Sequence, residues 1–130
     1  MSLPVGVCVK AAALRPEYDN LSEFLADPDN ALVCRRGRIW ITAADGTKKM
    51  FQWVGSPFAN PFPVGSGDGR YTLEVSLAKY RAHLERLLQD SATLRAFRRL
   101  AKKKKIGCFC NAGSPCHRDV IIDVLRTLHQ

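Results

Sequence analysis

Gly107-Cys108-Phe109-Cys110-Asn111-Ala112-Gly113-Ser114-Pro115-Cys116-His117-Arg118-Asp119 is the stretch on which the fold turns. An apolar segment leads into it, and Val120, Ile121, Val124, Leu125 and Leu128 follow at helical spacing. The pattern predicts a strand over residues 106–110, a short loop, and a last helix from Ser114 onward. Two apart on a strand, Cys108 and Cys110 share a face and Phe109 takes the other. Ser114 is an N-cap type and Pro115 suits the first helical position. Cys116 and His117 then fall in the first turn, where unpaired N–H groups and the helix dipole favour an anion and lower a thiol's pKa. In open α/β sheets ligands bind beyond the carboxyl ends of strands, which is where Cys110 leads.

Working outward, Val5, Val7 and Val9 alternate as a first strand over 5–10. Asn20 with Glu23 forms a capping-box pattern for a short helix through Leu21, Phe24 and Leu25 that Pro28 closes. Residues 32–34 and 38–42 read as strands. Asp45-Gly46 joins the second to residues 50–54 as a hairpin, across which Trp40 and Trp53 are expected to face each other. Residues 55–70 are rich in Gly and Pro and form a loop long enough to suggest function. Thr72 caps a helix through Gln89 with a Leu73, Leu77, Tyr80, Leu84 stripe, and Ser91 opens another. Strand–helix alternation at both ends predicts one α/β domain over residues 1–130. It would be a compact layered sandwich: a mixed, mostly parallel sheet with an inserted β-hairpin and flanking helices.

Composition is that of a globular chain: 130 residues, 46% apolar and 25% charged. No apolar run reaches the roughly 18 residues of a membrane span. The N-terminal segment lacks the basic and apolar regions of a secretory signal, so an intracellular location, cytoplasmic or nuclear in a host cell, is expected. Five cysteines, three of them within nine residues, then read as thiols or ligands and not as a disulfide framework. A net charge of +8 favours phosphate-bearing partners. Walker A, G-x-G-x-x-G and H-E-x-x-H patterns are absent, which leaves their chemistries without support.

Three readings of the Cys-rich segment stand side by side. In the first it is an anion or nucleotide pocket: Cys116 or Cys110 is the nucleophile, His117 moves a proton, and Ser114, Arg118 and Asp119 hold the ligand. Asn60 and Ser56, in the 55–70 loop, would form the opposite wall. In the second, Cys108, Cys110, Cys116 and His117 bind zinc. Against it, the first pair is spaced more tightly than usual, and neighbours on a helix diverge by about 100 degrees, which separates Cys116 from His117. In the third the thiols are small core residues, the role also expected of Cys8 and Cys34. The pattern does not choose between binding and turnover. A separate stripe, Arg95, Arg98, Arg99 and Lys102, occupies one helix face and is either a nucleic-acid contact or a solvated surface.

These residues resemble the domain-of-unknown-function 4326 family, found in phages and large DNA viruses. Its G-C-W-C stretch and P-C-H-G-D-V-L motif stand here as Gly107-Cys108-Phe109-Cys110 and Pro115-Cys116-His117-Arg118-Asp119-Val120-Ile121. Its S-x-W-A/G-N-P-F block stands as Ser56-Pro57-Phe58-Ala59-Asn60-Pro61-Phe62. Phe58 replaces a tryptophan and Arg118 a glycine. The Cys-His-Arg run is locally similar to the domain-of-unknown-function 488 family. The resemblance implies an α/β fold, a viral setting and a shared site at this helix, but no reaction.

Overall fold

The strand expected from the Cys-rich stretch is the centre of the molecule. The computed structural model describes residues 3–110 and 115–129. In it β1 (Val5–Cys8) and β2 (Asn30–Leu32) both pair in parallel with β5 (Lys105–Cys108), giving the order β1-β5-β2. Backbone bonds carry the ladder one residue further on each side, from Val9 N–H to the Cys108 carbonyl and from Val33 N–H to the Gly107 carbonyl. Gly107 is required here. A Cβ on it would lie 2.3 Å from Val9 Cγ1, so a side chain would force the strands apart.

Each face of this sheet carries its own core. On one side α3 (Leu73–Leu87), α4 (Ser91–Arg99) and α5 (His117–Leu128) surround Ile106 and Val33 with Tyr80, Leu84, Phe97, Ile121 and Leu125. On the other, α1 (Ala11–Leu14), α2 (Leu21–Ala26) and the hairpin β3 (Gly37–Thr42)–β4 (Lys48–Trp53) gather Val9, Leu21 and Phe24 with Ile39, Phe51, Trp53 and Phe109. Side chains as deeply buried as Phe24, Tyr80 and Leu84 each contribute about 1.5–3 kcal/mol. The result is a helix–sheet–helix sandwich of the expected class. The hairpin stands as a separate antiparallel ribbon and does not join the main sheet.

Several local expectations shift. The first strand ends at Cys8, and α1 follows. The second strand is Asn30–Leu32, which puts Cys34 beyond its end. Helix α4 is capped by Asp90, one residue before the expected Ser91, and α3 gives way at Leu87. The cap Asn20 does accept from Glu23 N–H, as the capping box requires. Trp40 and Trp53 do not face each other: Trp40 pairs with Met50 on the outer face, and Trp53 pairs with Gly37 and packs inward. The alternation of the ribbon decides this, because positions 40 and 53 fall on opposite faces. Among the described residues no helix is long and apolar enough to cross a membrane.

Candidate metal centre

Helix α5 begins two residues later than its sequence suggests. Its N-cap is Cys116, in extended geometry at φ −152°, ψ 161°, and Pro115 precedes the helix instead of occupying its first turn. The cap is held by Asp119, whose Oδ2 accepts from Cys116 N–H at 2.9 Å. Ser114, the expected cap, lies outside the described residues. Asp119, expected to hold a ligand, therefore serves the helix itself and places a carboxylate where an anion would otherwise sit.

The shift reverses the geometric objection to Cys116 and His117 acting together. Cys116 is outside the helix, so the 100-degree step between helical neighbours does not separate it from His117. Their Sγ and Nδ1 atoms are 3.5 Å apart. Cys108, at the end of β5 on the α5 side, lies 3.7 Å from the same Nδ1. The chain then turns back so that Cys110 Sγ comes within 3.5 Å of Cys108 Sγ. Cys110 is past the end of β5 and not on it. The sulfurs of Cys108, Cys110 and Cys116 all lie within 4.8 Å of one another and can hold a metal ion.

His117 has a fixed orientation. Its Nε2 is 2.6 Å from the Val33 carbonyl, an obligate acceptor, so Nε2 carries the proton and Nδ1 offers its lone pair to the sulfurs. The edge of Tyr80 packs against the ring at 5.3 Å. Cys34, expected to be a core residue, is a fourth thiol that lines the same cleft as Cys108 and Cys110. Nothing in its local pattern distinguished it, because only the parallel register of β2 against β5 brings it there. The Cys116 cap was legible, since Asp119 stands three residues later, as in a capping box.

Crowding sets the acidities of this group. Hydrogen bonds from Cys110, Cys116 and Cys34 hold the Cys108 thiol far below its ordinary value, so it is the first to ionise. The neighbours of that anion move the other way. Cys110 is pushed up to about 11, foremost by its bond to Cys108, although the positive charge of Arg118 pulls it down. Cys116 and Cys34 are raised by the same bond and by burial. The expected lowering of Cys116 by the helix dipole is thus overridden by an adjacent thiolate.

Arg118 is the least ordinary residue here. It is 5% exposed and lies against β1 at Gly6, where a Cβ would come within 2.9 Å of its Nε. Nε and Nη1 are buried without a hydrogen-bond partner. The nearest carboxylate oxygen, Asp119 Oδ1, is 3.8 Å from Nε.

A cleft of about 370 Å³ opens beside the cluster, floored by Cys34, Cys108, Cys110 and His117, with Asn60, Trp53 and Phe109 among its walls and Arg35 at its side. The 55–70 loop does form a wall, as expected. Asn60, however, is occupied within the fold: Nδ2 donates to Ser76 Oγ at 3.0 Å and Oδ1 accepts from Phe62 N–H at 2.9 Å. Ser56 Oγ likewise accepts from Phe58 N–H, and its own N–H donates to the Cys34 carbonyl. Arg95, Arg98, Arg99 and Lys102 are all exposed at the far helical layer.

Residues 22–127 match the model of a family described as Domain of unknown function (DUF4326). The match takes in both the 55–70 loop and the whole cysteine cluster. No curated protein and no solved structure matches the chain.

Proposed function

The chain belongs to the DUF4326 family, and we propose that it is a zinc-stabilised binding domain in which Cys108, Cys110 and Cys116 ligate the ion and His117 Nδ1 completes a Cys₃His shell. The spacing of the three sulfurs carries this reading, and His117 Nδ1 is in reach of two of them, Cys108 and Cys116, while it lies farther from Cys110. A tetrahedral zinc with bonds of about 2.3 Å to sulfur and 2.0–2.1 Å to nitrogen sets S···S near 3.8 Å and S···N near 3.5 Å. The 3.5 Å sulfur pair and the 3.5 and 3.7 Å contacts of Nδ1 lie close to those edges. The Val33 carbonyl on Nε2 is the outer partner that ligating histidines usually have.

Charge supports the same reading. Three thiolates around Zn²⁺ leave one negative charge, and the buried guanidinium of Arg118, whose Nε and Nη1 make no hydrogen bond and which Asp119 faces at 3.8 Å, lies close enough to act on Cys110 and offset it. A nucleophilic role for Cys116 or Cys110 fits less well. Cys116 is 1% exposed, and in Cys110, the more accessible, the bond to Cys108 pushes the thiol up and away from the thiolate form that a nucleophile needs. With all four positions filled by protein, the ion's role is structural.

A second reading concerns the cleft. Its aromatic walls, the Arg35 side chain and a volume within the range of small-ligand sites favour a phosphate-bearing planar ligand such as a nucleotide. One experiment addresses both readings. Cobalt(II) added to reduced, metal-free protein should give intense tetrahedral d–d and thiolate charge-transfer bands at one equivalent, displaced by zinc and lost in Cys108→Ser. A nucleoside monophosphate bound over the cysteine floor should perturb those bands. Octahedral-type weak absorption, or bands unchanged by Cys108→Ser, would remove the metal centre. Unperturbed bands with no change in melting temperature would remove the nucleotide alone.

A further inference from the structure

We infer that the outer face of the β3–β4 ribbon is a binding surface for single-stranded nucleic acid. The inference does not depend on the metal centre.

The ribbon has two faces with opposite characters. Ile39, Phe51 and Trp53 point inward to the core. The register pairs Arg38 with Gln52, Trp40 with Met50 and Thr42 with Lys48 on the other side. On that outer face Trp40 is 68% exposed and Met50 39%, and Trp40 borders a small cavity that Arg15 and Asp19 also line. A tryptophan so exposed contributes little to folding. Its ring lies centrally in the pair ladder, between Arg38 and Lys48.

Charge selects the partner. Residues 35–54 carry five cations against one carboxylate, Asp45; Arg38 and Lys48 lie on the outer face, Arg35 and Arg36 just before β3, and Lys49 opposite Ile41 on the other face. Asp45 is at the turn, where it accepts from Thr47 N–H, and not on the face. Among the described residues none of the five cations is in an ion pair. Arg36 and Arg38, with Gln52 and Trp53, also line a groove of about 470 Å³ at the base of the ribbon. A cationic track with an exposed aromatic ring is what a single strand needs: phosphates follow the cations and an unpaired base stacks on the ring. The basic stripe of α4 has the charge but lacks the ring.

The test uses the full chain and a fluorescently labelled oligothymidylate of about 20 nucleotides. Anisotropy should show binding at about 50 mM salt that weakens on added salt, with a log–log slope of about −0.7 per phosphate contacted. Trp40→Ala should weaken it about tenfold, within the range for loss of one base stack. Arg38→Glu with Lys48→Glu should reduce it further and flatten the slope. All three side chains are exposed, so circular dichroism should be unchanged. Oligonucleotide should quench wild-type tryptophan emission more strongly than that of Trp40→Phe, because Trp40 is 68% exposed whereas Trp53 is half-buried in a stack with Phe51 and Phe109. Absence of binding at about 100 μM protein overturns the inference. So does binding that survives the ribbon variants and falls in Arg98→Glu with Lys102→Glu. Capture by phosphatidylserine vesicles without oligonucleotide binding overturns it as well.

Discussion

Arg118 joins the strand layer to the cysteine cluster, and its position is possible only because Gly6 leaves room for its Nε. A buried guanidinium with two nitrogens that make no hydrogen bond is costly unless a negative group lies nearby. The Asp119 carboxylate, 3.8 Å from Nε, is one such group, and Cys110 of the cluster feels the same charge. Arg118→Met keeps most of the side-chain volume and removes the charge. It should weaken zinc binding by about 10- to 100-fold, the usual effect of losing an outer-shell partner. Competition against a chromophoric chelator measures this. An unchanged affinity would show that Arg118 answers to something other than the cluster. Cys116 and His117 teach a related lesson. One residue of extended backbone at an N-cap converts two side chains that would diverge on a helix into a pair 3.5 Å apart.

Among the elements, β5 and α5 bring the cluster together, while the hairpin and the 55–70 loop shape the cleft around it. The loop is held to α3 by three hydrogen bonds: Asn60 Nδ2 to Ser76 Oγ, Ser76 Oγ to the Phe62 carbonyl, and the Tyr80 hydroxyl to the Phe58 carbonyl at 2.6 Å. This is why a Gly- and Pro-rich segment keeps one conformation against the site. Helix α4, which carries the basic stripe, depends on its Asp90 cap. The Thr93 backbone N–H and hydroxyl hold the Asp90 carboxyl below its ordinary value of 3.8. A depressed carboxylate pKa contributes stability that is present above the unfolded value and lost as pH falls through the folded one. Protection of α4 amides from exchange should therefore decline as pH falls below about 4. In Asp90→Asn, whose amide caps without titrating, that part of the decline should vanish. Equal acid sensitivity in both proteins would assign the loss to other carboxylates.

At the scale of the whole molecule, the centre ties together three distant parts of the chain. Cys108 ends β5 and Cys110 follows it, Cys116 and His117 open α5, and the Val33 carbonyl on His117 belongs to the segment after β2. An ion there cross-links both sheet and helix, and its binding energy adds to folding energy. Melting temperature should rise with free zinc as mass action requires, by about 2.7 kcal/mol of stability at a hundredfold excess over Kd. It should fall on chelation, and the Cys108→Ser protein should show neither response. Calorimetry with and without chelator measures it, and a melting temperature indifferent to zinc would be incompatible with a structural ion.

Much of this was readable from residue types alone. The Ile106 strand, the Leu and Val stripes of α3 and α5, the Asn20 and Thr72 caps and the Asp45-Gly46 turn each follow from periodicity or local hydrogen bonding, which act over a few residues. The same local reasoning located the cysteine cluster, because three of its thiols lie within nine residues. It could not supply Cys34, the burial of Arg118 or the Val33 carbonyl on His117. These arise from the parallel pairing of β1 and β2 with β5, between segments about 75 to 100 residues apart. Nor could it show that the hairpin would stand apart with Trp40 outward, since which face of a ribbon is buried depends on what packs against it. Short-range physics determined the elements and the chemical inventory of the site; long-range packing decided which of those groups meet and which remain exposed to solvent.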